Sequence, residues 1–357
     1  MEAIMRIWEQ NFRKVDPYVP GEQPQEQDII KLNTNENPYP PAPKVAKRLE
    51  SYPVEKLKLY PDYKSRQLVQ CLAKHYEVNE NQVFVGVGSD DVLAMAFLTF
   101  FNSKKPILFP DITYSFYKVW ANLYQIPYEC PKLTNEFKLQ KEDYYKENGG
   151  IVIANPNAPT SIFEEVATFR DILEHNKESV VIVDEAYIDF GGESALSLIS
   201  EYENLLVVQT FSKSRSMAGI RIGFAIGNER LIKALNDVKY SFNSYTMNMP
   251  AIELGAAAVE EDQYYKDITK KIIRTREEAR QRLEHLGFQT LESATNFLFA
   301  THTTIPATTI FQALKEKNIY VRHFDGDRVN NYLRITIGTD HEMEILYEAL
   351  KEITDIS

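Results

Sequence analysis

The chain has 357 residues, 44% hydrophobic and 25% charged, with a formal net charge of −11. A chain of this size reads as about two domains with a core large enough to need no staples, and its acidic balance argues against nucleic acid. Two cysteines, Cys71 and Cys130, exclude a disulfide framework or a four-cysteine metal site, and no apolar run approaches the ~20 residues that span a membrane.

The first segment, MEAIMRIWEQNFRKV, carries early acids and no cleavable apolar core. It reads as an amphipathic helix with Ile4, Ile7, Trp8 and Phe12 on one side rather than a leader, so a cytoplasmic protein is expected. Residues 16–43, rich in proline and polar side chains, read as an extended arm.

From about 64 to 240, continuous apolar runs at 83–87, 106–109, 150–154, 180–183, 205–208 and 223–226 alternate with helix-length segments such as 65–76 and 162–175. Unbroken runs suit strands covered on both faces, and the alternation predicts a mostly parallel sheet flanked by helices. Residues 249–286 form one long helical pattern closing at Gly287; short strands follow at 296–300, 319–323 and 332–337. The expected organisation is an N-terminal arm over 1–30 packing with the smaller unit, a large α/β domain over 31–245, a hinge near 242–250, and a small α/β domain over 246–357.

Ligands of open α/β sheets sit beyond the carboxyl ends of the strands. Here four apolar runs are followed by Gly88-Ser89-Asp90-Asp91, Asn155-Pro156-Asn157, Asp184-Glu185-Ala186-Tyr187 and Thr210-Phe211-Ser212-Lys213. A lysine in a partly buried site favours its neutral amine, which condenses with an aldehyde, and a carboxylate on a neighbouring strand pairs with a protonated ring nitrogen. Those are the needs of pyridoxal 5'-phosphate. Its phosphate needs donors: the helix start in VGSDDVLAMAF, the hydroxyls of Thr210 and Ser212, and Arg221. The rival motifs are weak: Gly86-x-Gly88 lacks the third glycine of a dinucleotide fingerprint, no phosphate-binding loop with GK[ST] exists, and the six histidines show no metal spacing.

TFSKSRSMAGIRIG resembles the lysine signature of fold type I pyridoxal-phosphate aminotransferases. The order of LNTNENPYPPAP, YPD, GSDD, PDITYSFY, NPNAPTS, VDEAYIDF and LRITIGT is similar, more narrowly, to the histidinol-phosphate aminotransferases, over Pro17 to about Glu352. The resemblance implies a seven-stranded, mostly parallel sheet and a homodimer. It implies Lys213 as the covalent anchor and proton shuttle, Asp184 at the pyridine nitrogen, and Tyr187 with Asn157 at the ring oxygen. Tyr114 would stack on the ring; Ser89, Asp90, Thr210, Ser212 and Arg221 would surround the phosphate, with Tyr60 reaching it from the other subunit. The family's NPNNPTG stands here as NPNAPTS, and Pro40 stands where glycine is usual; neither change removes a proposed catalytic group.

For the substrate, Arg334 in YLRITIG offers a fork that fits a carboxylate or phosphate. Arg322 is the expected second cation, Tyr18 on the arm the expected lid, and Asn243 a further candidate. The implied reaction moves an amino group between L-histidinol phosphate and 2-oxoglutarate, in histidine biosynthesis. The alternatives are an aromatic aminotransferase, a threonine-phosphate decarboxylase on the same frame, and a cofactor-binding regulator.

Overall fold

A computed structural model describes residues 6–24 and 28–355. Seven strands form the main sheet, in the order Val83–Gly86, Gly223–Gly227, Leu205–Thr210, Val181–Asp184, Ile151–Ala154, Ile107–Leu108 and Tyr128–Glu129. All neighbours are parallel except that Gly223–Gly227 runs antiparallel to both of its own. Successive residues point to opposite faces, and both faces are covered. Phe84, Val152, Ile182, Leu206 and Ala225 pack under helices Ser89–Phe100, Phe116–Tyr124 and Glu229–Phe242. Val83, Val85, Phe224 and Ile226 meet helices Arg66–His75 and Met249–Val259, while Ile151, Ile153, Val181 and Val183 meet helix Val166–His175.

The register fixes where the polar strand ends fall. Gly86 lies opposite Gly223, and Gly223 opposite Thr210; Val208 lies opposite Asp184, and Asp184 opposite Ala154. The carboxyl ends of four strands therefore share one edge, the position at which open α/β sheets bind ligands.

A second, antiparallel sheet runs in the order Arg322–His323, Leu333–Thr336, Phe297–His302, Phe288–Thr290. Its core joins helices Asp262–His285, Ala307–Glu316 and Asp340–Asp355 through Ile272, Leu283, Ile310, Leu314, Leu346 and Leu350. A two-residue parallel pair, Ile30–Lys31 with Ile319–Tyr320, ties the arm's end to this unit.

Several local expectations change. The long helical pattern over 249–286 is two helices, broken at Glu260–Glu261. The first of them, Met249–Val259, buries Ala251, Leu254 and Ala258 against the main sheet's core, so its packing lies with the large unit rather than with a small one starting at 246. Leu32 packs into the small sheet's core despite preceding that unit by more than 200 residues. The expected N-terminal helix is a single 3₁₀ turn, Ile7–Asn11, with Ile7, Trp8 and Phe12 exposed; Ile4 lies outside the described residues. One turn with no surface to bury its apolar side cannot offset the cost of helix nucleation. The arm touches both units: Glu22 pairs with Lys315 at 2.8 Å, while Tyr18 stacks on Phe116 at 4.1 Å between centroids. No helix among the described residues is long and apolar enough to cross a membrane.

Candidate active site

At the shared edge, strand Val83–Gly86 turns through Val87-Gly88 into the twelve-residue helix that starts at Ser89. Gly88 has φ +84°, a conformation that disfavours a side chain, and a Cβ there would stand 2.4 Å from Arg221 Nη2. Gly223 admits the same turn from below, since its Cβ would lie 2.3 Å from the Gly88 carbonyl carbon and the Ser89 nitrogen. The first N–H groups of a helix have no intrahelical acceptor. Arg221 faces them, with Nη2 3.2 Å from Asp90 Oδ2 and Nη1 3.5 Å from Ser212 Oγ, and Thr210 Oγ1 donates to Ser212 Oγ at 3.0 Å. Free N–H groups, a guanidinium and two hydroxyls around one point make an anion cradle.

Beside the cradle, Lys213 Nζ donates to the Thr34 carbonyl at 3.2 Å and lies 5.7 Å above the Tyr187 ring. Asn37 Nδ2 donates to the Lys213 carbonyl at 3.0 Å, which holds the lysine's backbone. Asp184 ends its strand almost fully buried. Its Oδ2 accepts from the Tyr117 hydroxyl at 2.7 Å, and its Oδ1 has no partner. Burial, helped by the nearby Asp90 charge, pushes this carboxyl up to about 6, against the Tyr117 hydrogen bond and the Ala186 N–H, which favour the ionised form. A buried carboxylate oxygen without a donor is costly unless something protonated meets it. With the phosphate cradle on one side and a lysine amine on the other, that oxygen fits a protonated heterocyclic nitrogen, so the donor set suits pyridoxal phosphate.

The outer wall is cationic. Arg322 and Arg334 stand directly opposite one another on adjacent strands, a like-charge pairing that is unfavourable by itself. Arg334 lies between the Phe297 and Phe324 rings, at 5.3 and 5.4 Å; its Nη2 donates to the Asn33 carbonyl at 2.9 Å and its Nε has no acceptor. Desolvation holds its pKa below the usual guanidinium value, the signature of a cation kept from water. Arg322 donates at 3.4 Å to the carbonyls of Val19 and Pro20, which brings the arm over the site. Two arginines without a carboxylate between them can share a doubly charged anion.

A cavity of about 330 Å³ joins these parts, lined by Tyr18, Ser89, Asp90, Tyr114, Asp184, Tyr187, Thr210, Ser212, Lys213, Arg221, Arg322 and Arg334. Three expected residues are not in its lining. Asn157 sits behind it, with both amide hydrogens spent on the Ile112 carbonyl and Thr160 Oγ1 and its Oδ1 accepting from Thr113. In this arrangement it has no hydrogen for a ring oxygen. Asn243 is the exposed C-cap of helix Glu229–Phe242 and is not among the residues that line the cavity. Tyr60 is 80% exposed, 4.7 Å from the Tyr245 ring, and does not reach the cavity of its own subunit.

Other contributors come from LNTNEN and PDITYSFY. Asn35, at φ +55°, donates to the Tyr187 hydroxyl at 2.8 Å; Thr34 and Asn37 position the lysine; Tyr117 holds Asp184. The density of asparagines in LNTNENP was the available signal for the first three. Tyr117 had none beyond its place three residues after Tyr114, at the start of helix Phe116–Tyr124.

The fold and site define a class: a model of the aminotransferase class I and II family matches residues 27–350, and the chain belongs to that family. Its relatives include the histidinol-phosphate aminotransferase of Clostridium beijerinckii, 49% identical over 350 residues, 98% of each chain. That of Lactococcus lactis subsp. cremoris is 50% identical over 345 residues, 97% of each. Within the family the chain therefore falls among the histidinol-phosphate aminotransferases. Among solved structures, the Sinorhizobium meliloti histidinol-phosphate aminotransferase in complex with pyridoxal-5'-phosphate shares the fold, with a TM-score of 0.84 at 22% identity over 91% of this chain and 90% of that one.

Proposed function

We propose that this chain is a cytoplasmic, pyridoxal-phosphate-dependent transaminase that converts L-histidinol phosphate and 2-oxoglutarate to imidazole-acetol phosphate and L-glutamate by a ping-pong route. The observation that carries the reading is the partnerless Oδ1 of Asp184 in one cavity with Lys213 and the Arg221 cradle. When bound, the cofactor supplies an electron sink for the pair left behind when a Cα proton is removed.

The chain's own groups do the rest. Lys213 would hold the cofactor through its Nζ, and the same Nζ, when free, would be the base for the Cα proton. Asp184 would hold a protonated ring nitrogen through its Oδ1. Tyr187, whose oxygen already accepts from Asn35, has its own hydrogen left for the ring oxygen; Asn157 joins it only by exchanging its Thr160 bond. Tyr114, fixed by the 2.8 Å bond that its hydroxyl donates to Asp90, would cover the cofactor ring. The Ser89 and Asp90 backbone, Thr210, Ser212 and Arg221 take the phosphate. Arg334 and Arg322 bind the phosphate of one substrate and the distal carboxylate of the other in alternate half-reactions, and Tyr18 closes the arm against water. In a homodimer, Tyr60 reaches the partner's cofactor phosphate.

Purified protein given L-glutamate and imidazole-acetol phosphate should form 2-oxoglutarate and L-histidinol phosphate. Turnover only with phenylpyruvate would make it an aromatic aminotransferase, and carbon dioxide release from threonine phosphate a decarboxylase. Borohydride treatment should fix a pyridoxyl group on Lys213, seen by mass spectrometry, and Lys213→Ala should carry none.

A further inference from the structure

A second cavity, of about 390 Å³, opens behind the lysine loop and shares no lining residue with the first. Its floor is Arg215, only 5% exposed, with the guanidinium between the Phe211 and Tyr265 rings at 5.3 and 5.6 Å. Nη1 of this arginine has no hydrogen-bond partner. Nη2 is 3.5 Å from Asp262 Oδ1, too long to be a good hydrogen bond, and Asp262 is already held by Lys266 at 2.7 Å. The walls mix apolar and aromatic side chains, Tyr76, Ile188, Leu196, Tyr265 and Ile273, with the polar Ser194, Gln209 and Thr269.

The charged groups that face the cavity are Arg215, Lys266 and Lys270 against Asp189 and Asp262, three cations to two carboxylates. His75 adds none near neutrality, because burial and the neighbouring Arg215 hold its pKa below the usual imidazole value. One positive charge in excess, a buried guanidinium nitrogen, Nη1, without an acceptor, and a wall that is aromatic and aliphatic in large part match a monoanion with a hydrophobic body. Ser214 follows Lys213, lines this second cavity and donates to Asp189, another of its lining residues. A ligand here therefore lies one residue from the lysine. The site also stands apart from the exposed Tyr60–Tyr245 surface: His75 is at the far end of helix Arg66–His75, about 15 Å from the end next to Tyr63.

We propose that this cavity is a second binding site, separate from the catalytic one, for a small organic carboxylate with an apolar or aromatic body, its carboxylate on Arg215. The proposal does not depend on which amino acid the enzyme transaminates. Phenylacetate is the probe, titrated by calorimetry into the Arg334→Ala holoenzyme so that the catalytic anion site does not compete. Saturable binding of one molecule per chain is expected, weakened at least tenfold by adding Arg215→Gln, or by adding Leu196→Trp, which fills the cavity without touching a charge. The absence of saturable binding overturns the proposal. So does binding that persists in the Leu196→Trp protein or in a folded Arg215→Gln protein; should Arg215→Gln not fold, Leu196→Trp decides alone.

Discussion

The Tyr117 hydroxyl donates to Asp184 Oδ2 at 2.7 Å, and Tyr117 is itself completely buried, its ring packed edge-on 5.7 Å from Tyr114. One side chain thus orients both the carboxylate proposed to face the cofactor's nitrogen and the tyrosine proposed to cover its ring. The same bond opposes the burial that raises Asp184, so losing it raises that carboxyl further above about 6.

Tyr117→Phe should therefore move the pH below which cofactor affinity collapses upward. A hydrogen bond to a charged group contributes ~1.5–3 kcal/mol, equivalent to roughly 1–2 pH units. Equilibrium dialysis of the cofactor across pH 5–9 reads this shift, and a profile identical to that of the wild type would show that Tyr117 only fills space.

Asp184→Asn should stabilise the cofactor-free protein while abolishing its tight hold on the cofactor. The folded carboxyl titrates near 6 and the unfolded one near 3.8, so between those values the folded state binds more protons. Ionised Asp184 thus costs stability, fully above pH 6, progressively less as pH falls, and not at all below about 3.8. That cost is ~3 kcal/mol at most. Chemical denaturation at pH 4 and pH 7.5 checks it, with the variant's advantage expected only at pH 7.5.

Arg334→Ala should raise KM for both L-histidinol phosphate and glutamate, with covalent attachment at Lys213 unchanged. Removing a charge-assisted pair costs ~1.5–3 kcal/mol, or about 10- to 150-fold. Steady-state kinetics with each substrate measures it; an unchanged KM for glutamate would remove Arg334 from the role.

Tyr60→Ala and Lys213→Ala should each be weak or inactive alone but regain activity when refolded together. In a hybrid dimer, one site combines Lys213 of the first chain with Tyr60 of the second. No recovery on mixing would mean that Tyr60 does not serve its partner's site.

Much of this protein follows from its chain read alone. The unbroken apolar runs at 151–154, 180–183 and 205–208 fit burial on both faces, which calls for a parallel sheet with flanking helices, and each run leads into residues that line the site. Because parallel strands point the same way, local adjacency was enough to bring Asp184, Thr210 and Lys213 to one edge. Packing at long range decided the rest. Asn35 meets Thr336 across 301 residues, Arg322 faces Arg334 only through strand register, and helix Met249–Val259 joins the large unit by its apolar face. Tyr117 finds Asp184 across 67 residues, and Arg215 gains its cavity from a helix that begins at Asp262. Periodicity reports which face of an element is buried, but not which distant surface buries it; that choice belongs to shape and charge complementarity in the assembled fold.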